Sequence, residues 1–196
     1  MDYLTHQLLD KDASEKLVKN LLEADSSWHD GKKTAGSHAS KVKNNYQLDK
    51  ESKKSIELTN FVIDKLMSDA LVKSYCLPKV FHGLMFSKSL IGQGYGMHVD
   101  NPYMSSGRSD LSFTLFLSDE KDYEGGELCI QNVQEDKSFK LPAGHIVIYP
   151  STTLHAVEQI SKGERIVCVG WIESYVCNNE DRGFLFSLDA GSKALL

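Results

Sequence analysis

The chain is expected to be mainly β with supporting helices, and three observations lead there. After Pro78 the sequence breaks into short apolar segments separated by turn residues, the pattern of a sandwich or barrel. Tyr123-Glu124-Gly125-Gly126, Leu141-Pro142-Ala143-Gly144 and Ser161-Lys162-Gly163-Glu164 read as hairpin turns with a glycine free to take positive φ, which favours antiparallel pairing. Before Pro78, two stretches carry apolar residues at helical spacing.

The elements follow in order. Asp12-Ala13-Ser14-Glu15 pairs a cap residue with Glu three positions on, and Leu17, Val18, Leu21 and Leu22 share one face, so a first helix is expected across about 13–26. Trp28 to Asn45 is rich in Gly, Ser, Thr, Lys and Asn and reads as loop or irregular strand. Ile56, Phe61, Val62, Leu66, Ala70 and Leu71 build the apolar stripe of a second helix, about 50–73. Strands are expected at Val80 to Lys88, Tyr95 to Val99, Leu111 to Leu117, Glu127 to Val133, His145 to Tyr149, Leu154 to Ile160 and Arg165 to Ser174. The tail opens polar at Asn178, carries Phe184-Leu185-Phe186, and should dock as a short helix or strap.

At 196 residues, the chain fits one domain with a sizeable core. It divides into helical and loop support over 1–78, a core over 79–176 and a strap over 177–196. The formal net charge of −5 argues against a general nucleic-acid binder. Residues 1–54 hold ten lysines against nine acids, too even a balance for a basic arm. Met1-Asp2-Tyr3-Leu4-Thr5-His6 has no basic start, no apolar leader core follows, and no run approaches a membrane span. A cytoplasmic protein without membrane partners is expected. Cys76, Cys129, Cys168 and Cys177 form no CxxC pair and read as buried reduced thiols.

Chemistry concentrates in His98-Val99-Asp100, with His155 and Arg165 downstream. On a strand, residues two apart point to one side, so His98 and Asp100 can converge while Val99 packs behind. A second histidine completes a 2-His-1-carboxylate set, which suits non-haem Fe(II). Zinc accepts the same ligands, but no separate general base for a hydrolase stands out. Gly92-Gln93-Gly94-Tyr95-Gly96 precedes His98, yet no helix follows it, so a dinucleotide loop is a poor reading.

Arg165 is either a surface arginine at a hairpin end or a fixed cation beside the metal, the latter suited to a dicarboxylic cosubstrate. If the Ser161 to Glu164 loop is odd-numbered or bulged, His155 and Arg165 face the same side of a hairpin. A plain two-residue Lys162-Gly163 loop sets them on opposite sides. Val167, Val169 and Trp171 share the arginine's face as a dry wall. Ser112, Thr114 and Phe116 alternate with Leu111, Phe113, Leu115 and Leu117, so Thr114 either binds a cosubstrate carboxylate or satisfies local backbone.

In order, these motifs are Tyr95-Gly96-Met97-His98-Val99-Asp100-Asn101, Arg108 to Ser118, Tyr123 to Leu128, Leu141 to Gly144, Tyr149-Pro150-Ser151 with His155, and Gly163-Glu164-Arg165. Together the chain resembles the Fe(II)/2-oxoglutarate oxygenases of the prolyl 4-hydroxylase type, specifically the bacterial PKHD-type hydroxylases. Trp28-His29-Asp30-Gly31, Thr34-Ala35-Gly36, Val42-Lys43-Asn44-Asn45 and Gln47-Leu48 extend the likeness to roughly residues 12–190. The resemblance implies a double-stranded β-helix, a jelly-roll core with N-terminal helices.

The same resemblance implies Fe(II) on His98, Asp100 and His155, with Arg165 on the distal carboxylate of 2-oxoglutarate. Thr114, Tyr95 and Trp171 join the cosubstrate wall. O2 is then a cosubstrate, ascorbate the reductant, and a C–H bond, by resemblance that of a prolyl residue in a protein or peptide, is hydroxylated with release of succinate and CO2. Asp100 fills the position that halogenating relatives leave to chloride. Two departures stand out: Phe86-Ser87-Lys88-Ser89-Leu90 lacks a tyrosine that relatives use for the cosubstrate, and the chain ends at Leu196 where many relatives run longer. The competing reading is a non-catalytic jelly-roll binding module. Oligomeric state is left open.

Overall fold

A computed structural model describes residues 2–23, 28–34, 42–104, 106–132 and 134–195. In chain order the strands begin with β1 Leu4–Gln7, β2 Trp28–Asp30, β3 Lys43–Asn44, β4 Tyr46–Leu48, β5 Pro78–Ser89 and β6 Gly94–His98. They continue with β7 Tyr103–Met104, β8 Gly107–Arg108, β9 Leu111–Phe116, β10 Tyr123–Gly125 and β11 Leu128–Ile130. The last are β12 Lys137–Phe139, β13 His145–Pro150, β14 His155–Val157, β15 Ile160–Gly163 and β16 Arg165–Ser174. The helices are α1 Lys11–Leu22, α2 Lys53–Ser68, α3 Ala70–Cys76 and α4 Asn179–Ala194.

A large sheet runs β1-β13-β9-β16-β5-β4-β2 and a smaller one β12-β11-β14-β6-β3. From β9 to β16 the chain crosses repeatedly: β9, β13 and β16 belong to the large sheet, β11 and β14 to the small one. That alternation, with every sheet pairing antiparallel, is the jelly-roll arrangement.

The crossings correct the expected turns. Ser161 to Glu164 is not a loop between partnered strands: Ile160–Gly163 is itself a strand paired with β10, and His155 and Arg165 belong to different sheets. Leu141 to Gly144 likewise joins β12 to β13 across sheets. The glycines do take left-handed backbone, φ 86° at Gly144 and 77° at Gly163, but the tight bend redirects the chain between layers. The segment expected as one strand from Leu154 to Ile160 is broken into β14 and β15, and the strand expected over Glu127 to Val133 is confined to Leu128–Ile130. Val133 lies outside the described residues.

Period-two patterning sets the layers. On β9, Leu111, Phe113 and Leu115 join the core under the helices, together with Ile146 and Ile148 of β13 and Ile166 and Cys168 of β16. The alternate residues Phe116, Val147, Tyr149 and Val167 turn to the interior between the sheets. Each fully buried side chain of this kind contributes about 1.5–3 kcal/mol.

The helices cover the outer face, with corrected bounds. Asp10, not Asp12, caps α1 by accepting from Ala13 N, and the helix ends at Leu22; residues 24–26 of the expected span lie outside the described residues. The expected single helix over 50–73 is two. Asp69 adopts extended backbone, ψ 122°, and its side chain caps α3 through Val72 N. The inward stripe of α2 is Leu58, Val62 and Leu66, whereas Ile56 is half exposed.

The tail is a helix of 16 residues, longer than expected, capped by Asn178. Residues 1–78 contribute strands to both sheets as well as helices and loops. All four cysteines are free thiols; Cys76 and Cys168 are buried, but Cys129 is half-buried and Cys177 exposed. No helix among the described residues is long and apolar enough to cross a membrane.

Candidate metal centre

His98 and His155 face each other as a register pair between β6 and β14. Their ring centroids stand 4.2 Å apart. Asp100, two residues beyond His98, brings Oδ1 to 3.7 Å from His98 Nε2 and Oδ2 to 3.8 Å from His155 Nε2. The three offer ligand atoms within 4.8 Å of one another.

Backbone carbonyls fix which nitrogen faces inward. His98 Nδ1 lies 2.8 Å from Gly96 O and His155 Nδ1 lies 2.9 Å from Thr153 O. A carbonyl only accepts, so each Nδ1 carries a proton and each Nε2 is the nitrogen turned to the centre. Burial first, and then the neighbouring His155, push the His98 pKa down to about 4, so its imidazole is neutral and able to ligate near pH 7.

Asp100 is oriented from behind. Ser112 Oγ donates to Asp100 Oδ2 at 2.6 Å and lies 2.9 Å from Ser151 Oγ, which lies 2.8 Å from Ser109 Oγ. All three serines are buried. This hydroxyl relay fixes Oδ2, which faces His155, and thereby sets Oδ1 toward His98. The set fits a divalent transition ion such as Fe(II), with two imidazoles and one anchored carboxylate on one side of an open cavity.

That cavity, about 420 Å³, is lined by the three residues and also by Tyr95, Thr114, Arg165 and Trp171. The structure thus brings together every residue singled out in the sequence. His155 and Arg165 reach it from facing sheets, so hairpin parity has no bearing on their meeting. Arg165 is 3% exposed, and its Nε and Nη2 are buried with no hydrogen-bond partner among the described residues. Gly126 makes room for it, because a Cβ there would lie 2.9 Å from Arg165 Cδ.

A buried guanidinium with unused donors fits a ligand carboxylate, since leaving such groups unpaired is costly. Desolvation lowers the Arg165 pKa. Its ring neighbours are Phe116, 5.3 Å from the guanidinium carbon, and Tyr123, whose hydroxyl interacts with the guanidinium. Thr114 bonds the fully buried Tyr149 hydroxyl, whose pKa desolvation raises. Phenols near the arginine therefore come from Tyr123 and Tyr149, and the segment lacking the expected tyrosine contributes Ser87 and Ser89 to the cavity. Tyr95 stacks on His98 at 3.6 Å and 19°, beside the metal ligands more than beside Arg165.

Sequence reasoning missed Lys43. Its side chain is 6% exposed, lines the cavity and sits 5.5 Å over the Tyr95 ring. Desolvation lowers its pKa to about 8 against an opposing pull from Asp100. Strand pairing with Tyr95 brings it here; the Val42-Lys43-Asn44-Asn45 motif contains it but gives it no place in the site.

Residues 84–173 match the model of the 2OG-Fe(II) oxygenase superfamily. A PKHD-type hydroxylase of Prochlorococcus marinus is 62% identical over 196 residues, all of this chain and 89% of the relative. A Pseudomonas putida prolyl-4-hydroxylase superposes with TM-score 0.66 at 17% identity, covering 89% of this chain and 94% of that one. A Trichoplax adhaerens prolyl hydroxylase, solved with a hypoxia inducible factor peptide fragment, gives TM-score 0.65 at 14% identity over 92% and 85% of the two chains. At those identities the two structures carry the fold alone. The full-length identity and the superfamily match together establish that this chain belongs to the PKHD-type hydroxylases of the 2OG-Fe(II) oxygenase superfamily.

Proposed function

We propose that the protein hydroxylates a prolyl residue of a protein or peptide, using Fe(II) held by His98, Asp100 and His155 and 2-oxoglutarate held by Arg165. The observation that carries this reading is the buried, unsatisfied guanidinium of Arg165 in the same cavity as the His-Asp-His set. When bound, the iron supplies the redox chemistry that couples O2 and the decarboxylation of 2-oxoglutarate to succinate and CO2 with C–H hydroxylation, ascorbate restoring Fe(II).

The chain's own residues bind, orient and exclude water. Arg165 clamps the C5 carboxylate through its planar donors. Thr114 and Tyr149 line the path from arginine to ligands, and Val157, Val167 and Val169 keep it dry. Ser112 holds the Asp100 carboxylate in one orientation, and Tyr95 fixes the His98 ring plane by stacking. Trp171 closes the far wall over Gly83, whose Cβ would lie 3.1 Å from its ring. A prolyl substrate is supported by the two prolyl hydroxylases that share the fold, one of them holding a peptide fragment. Free thiols and a ferrous cofactor suit a reducing compartment, the cytoplasm.

Succinate formation from 2-oxoglutarate, Fe(II) and ascorbate tests the chemistry, and a one-oxygen mass gain on prolyl peptides tests the substrate. His98→Ala is expected to abolish both. Succinate release that survives His98→Ala removes the metal assignment.

A further inference from the structure

One turn serves two of the three proposed metal ligands. Residues Tyr149 to His155 leave the end of β13 in the large sheet and enter β14 in the small one. Pro150 fixes one backbone angle of this turn, and Thr153 N donates to Pro150 O at 3.0 Å. The Thr153 carbonyl in turn receives His155 Nδ1 at 2.9 Å, so the turn orients the histidine that follows it. Ser151 lies in the same turn. Its N–H donates to Asp110 O at 3.1 Å, and its side chain is buried, the residue being 1% exposed.

The Ser151 hydroxyl serves the carboxylate instead. It lies 2.9 Å from Ser112 Oγ, which is 2.6 Å from Asp100 Oδ2, and 2.8 Å from Ser109 Oγ. Tyr149 pairs with Ser112 across β13 and β9, so sheet register brings the two segments together. Ser112 has one proton to give. A carboxylate at 2.6 Å is a stronger acceptor than a hydroxyl at 2.9 Å, so that proton goes to Asp100. Ser151 then meets the Ser112 oxygen with its own proton, and Ser109 meets Ser151 in the same way. All three hydroxyls thus point toward the carboxylate, an order in which each bond strengthens the next. Without Ser151 the Ser112 oxygen loses a buried partner and the chain from Ser109 is cut. The carboxylate oxygen held in this way, Oδ2, is the one 3.8 Å from His155 Nε2.

We propose that Ser151 is a positioning residue for the metal: acting through Ser112, it fixes Asp100 against His155, whose ring its own turn holds. Metal affinity then depends on a hydroxyl that bonds to none of the three ligands. This inference rests on the assignment of the metal to His98, Asp100 and His155.

The test is Mn(II) titration calorimetry on the full chain. The variants are Ser112→Ala, Ser151→Ala, Ser109→Ala, and Ser112→Ala combined with each of the other two. Ser112→Ala is expected to weaken Mn(II) binding about tenfold or more, and Ser151→Ala about fivefold or more. In the Ser112→Ala background, Ser151→Ala is expected to add less than about twofold, because the path to Asp100 is already cut. Ser109→Ala should act as a weaker Ser151→Ala, and it carries the test if melting curves show that Ser151→Ala does not fold. The Co(II)-loaded parent and Ser151→Ala are expected to differ in visible absorption, which reports ligand geometry at the ion.

Unchanged or tighter Mn(II) binding in Ser151→Ala overturns the proposal. A loss that adds in full to that of Ser112→Ala overturns it too, since that is the pattern of a general packing role, as do identical Co(II) spectra. The metal assignment fails by a different signal: a parent protein that takes up no Mn(II), or a His98→Ala variant that binds it as tightly as the parent.

Discussion

Arg182 and Arg165 are buried to the same degree, at 2% and 3% exposure, and their surroundings treat them oppositely. Arg182 gives Nη1 to the Val176 and Cys177 carbonyls at 2.7 and 3.2 Å and Nη2 to Asn179 Oδ1 at 3.0 Å. It ties the link between β16 and α4 to the first turn of α4. Arg165 keeps Nε and Nη2 unpaired among the described residues. Desolvation lowers the pKa of both, so burial alone does not separate them. Donor saturation does: a charge whose hydrogen bonds are used holds the fold, and a charge left with idle donors is held for a ligand.

The contrast breaks most visibly at Arg165. Arg165→Met is expected to weaken 2-oxoglutarate binding to the Mn(II)-loaded protein about 100-fold or more, read by calorimetry, because a charged partner of a carboxylate is lost in a dry site. The same substitution is expected to leave the ligand-free melting midpoint unchanged or raise it, since it removes a buried cation whose Nε and Nη2 donors are unused. Undiminished cosubstrate affinity, or a clear fall in stability, would put Arg165 with Arg182 as a structural residue.

Arg182→Met should do the reverse. Truncation strands the Val176 and Cys177 carbonyls, at a cost of about 1–3 kcal/mol, measurable as a lower urea midpoint. Its 2-oxoglutarate affinity should stay within about twofold of the parent protein. Equal stability of variant and parent would mean that saturation by backbone carbonyls does not identify a structural charge here.

What the sequence discloses follows the same division. His98 and Asp100 are legible as a pair two residues apart, although β6 ends at His98, Asp100 lies just beyond it and Val99 is exposed instead of packed behind. The alternation of Ser112, Thr114 and Phe116 with Leu111, Phe113 and Leu115 gives the inner and outer faces of β9 as observed. Arg165 is legible from its motif, but hairpin parity is the wrong route to it, because the Ser161 to Glu164 bend moves the chain between sheets. Lys43, Ser109 and Ser151 lie in the family motifs, but their meeting at the site depends on pairings between distant strands that no motif states. The break at Asp69 is hidden as well, since Phe61, Val62, Leu66, Ala70 and Leu71 continue the helical pattern through it and one polar residue decides the cap.

Asp69 extends the comparison to a carboxylate whose capacity is used, and it has the smallest expected effect. Its Oδ1 accepts from Val72 N at 2.8 Å as the cap of α3, and its Oδ2 meets His6 Nε2 of β1 at 2.8 Å. Burial pushes its pKa up, but the Val72 N–H and His6 outweigh that, and it lies below the ordinary 3.8. The unfolded chain therefore binds the proton more readily than the fold, and stability rises with pH wherever that holds. Asp69's contribution is complete above the unfolded value and is lost as pH falls through the lower, folded one. Asp69→Asn keeps a capping oxygen but removes the charge. The urea midpoints of parent and variant should thus differ near pH 6 and converge as pH drops below 3.8. A gap of constant size down to about pH 3 would mean that the carboxylate acts only as a cap oxygen, and that its charge does no more for β1 and α3 than an amide.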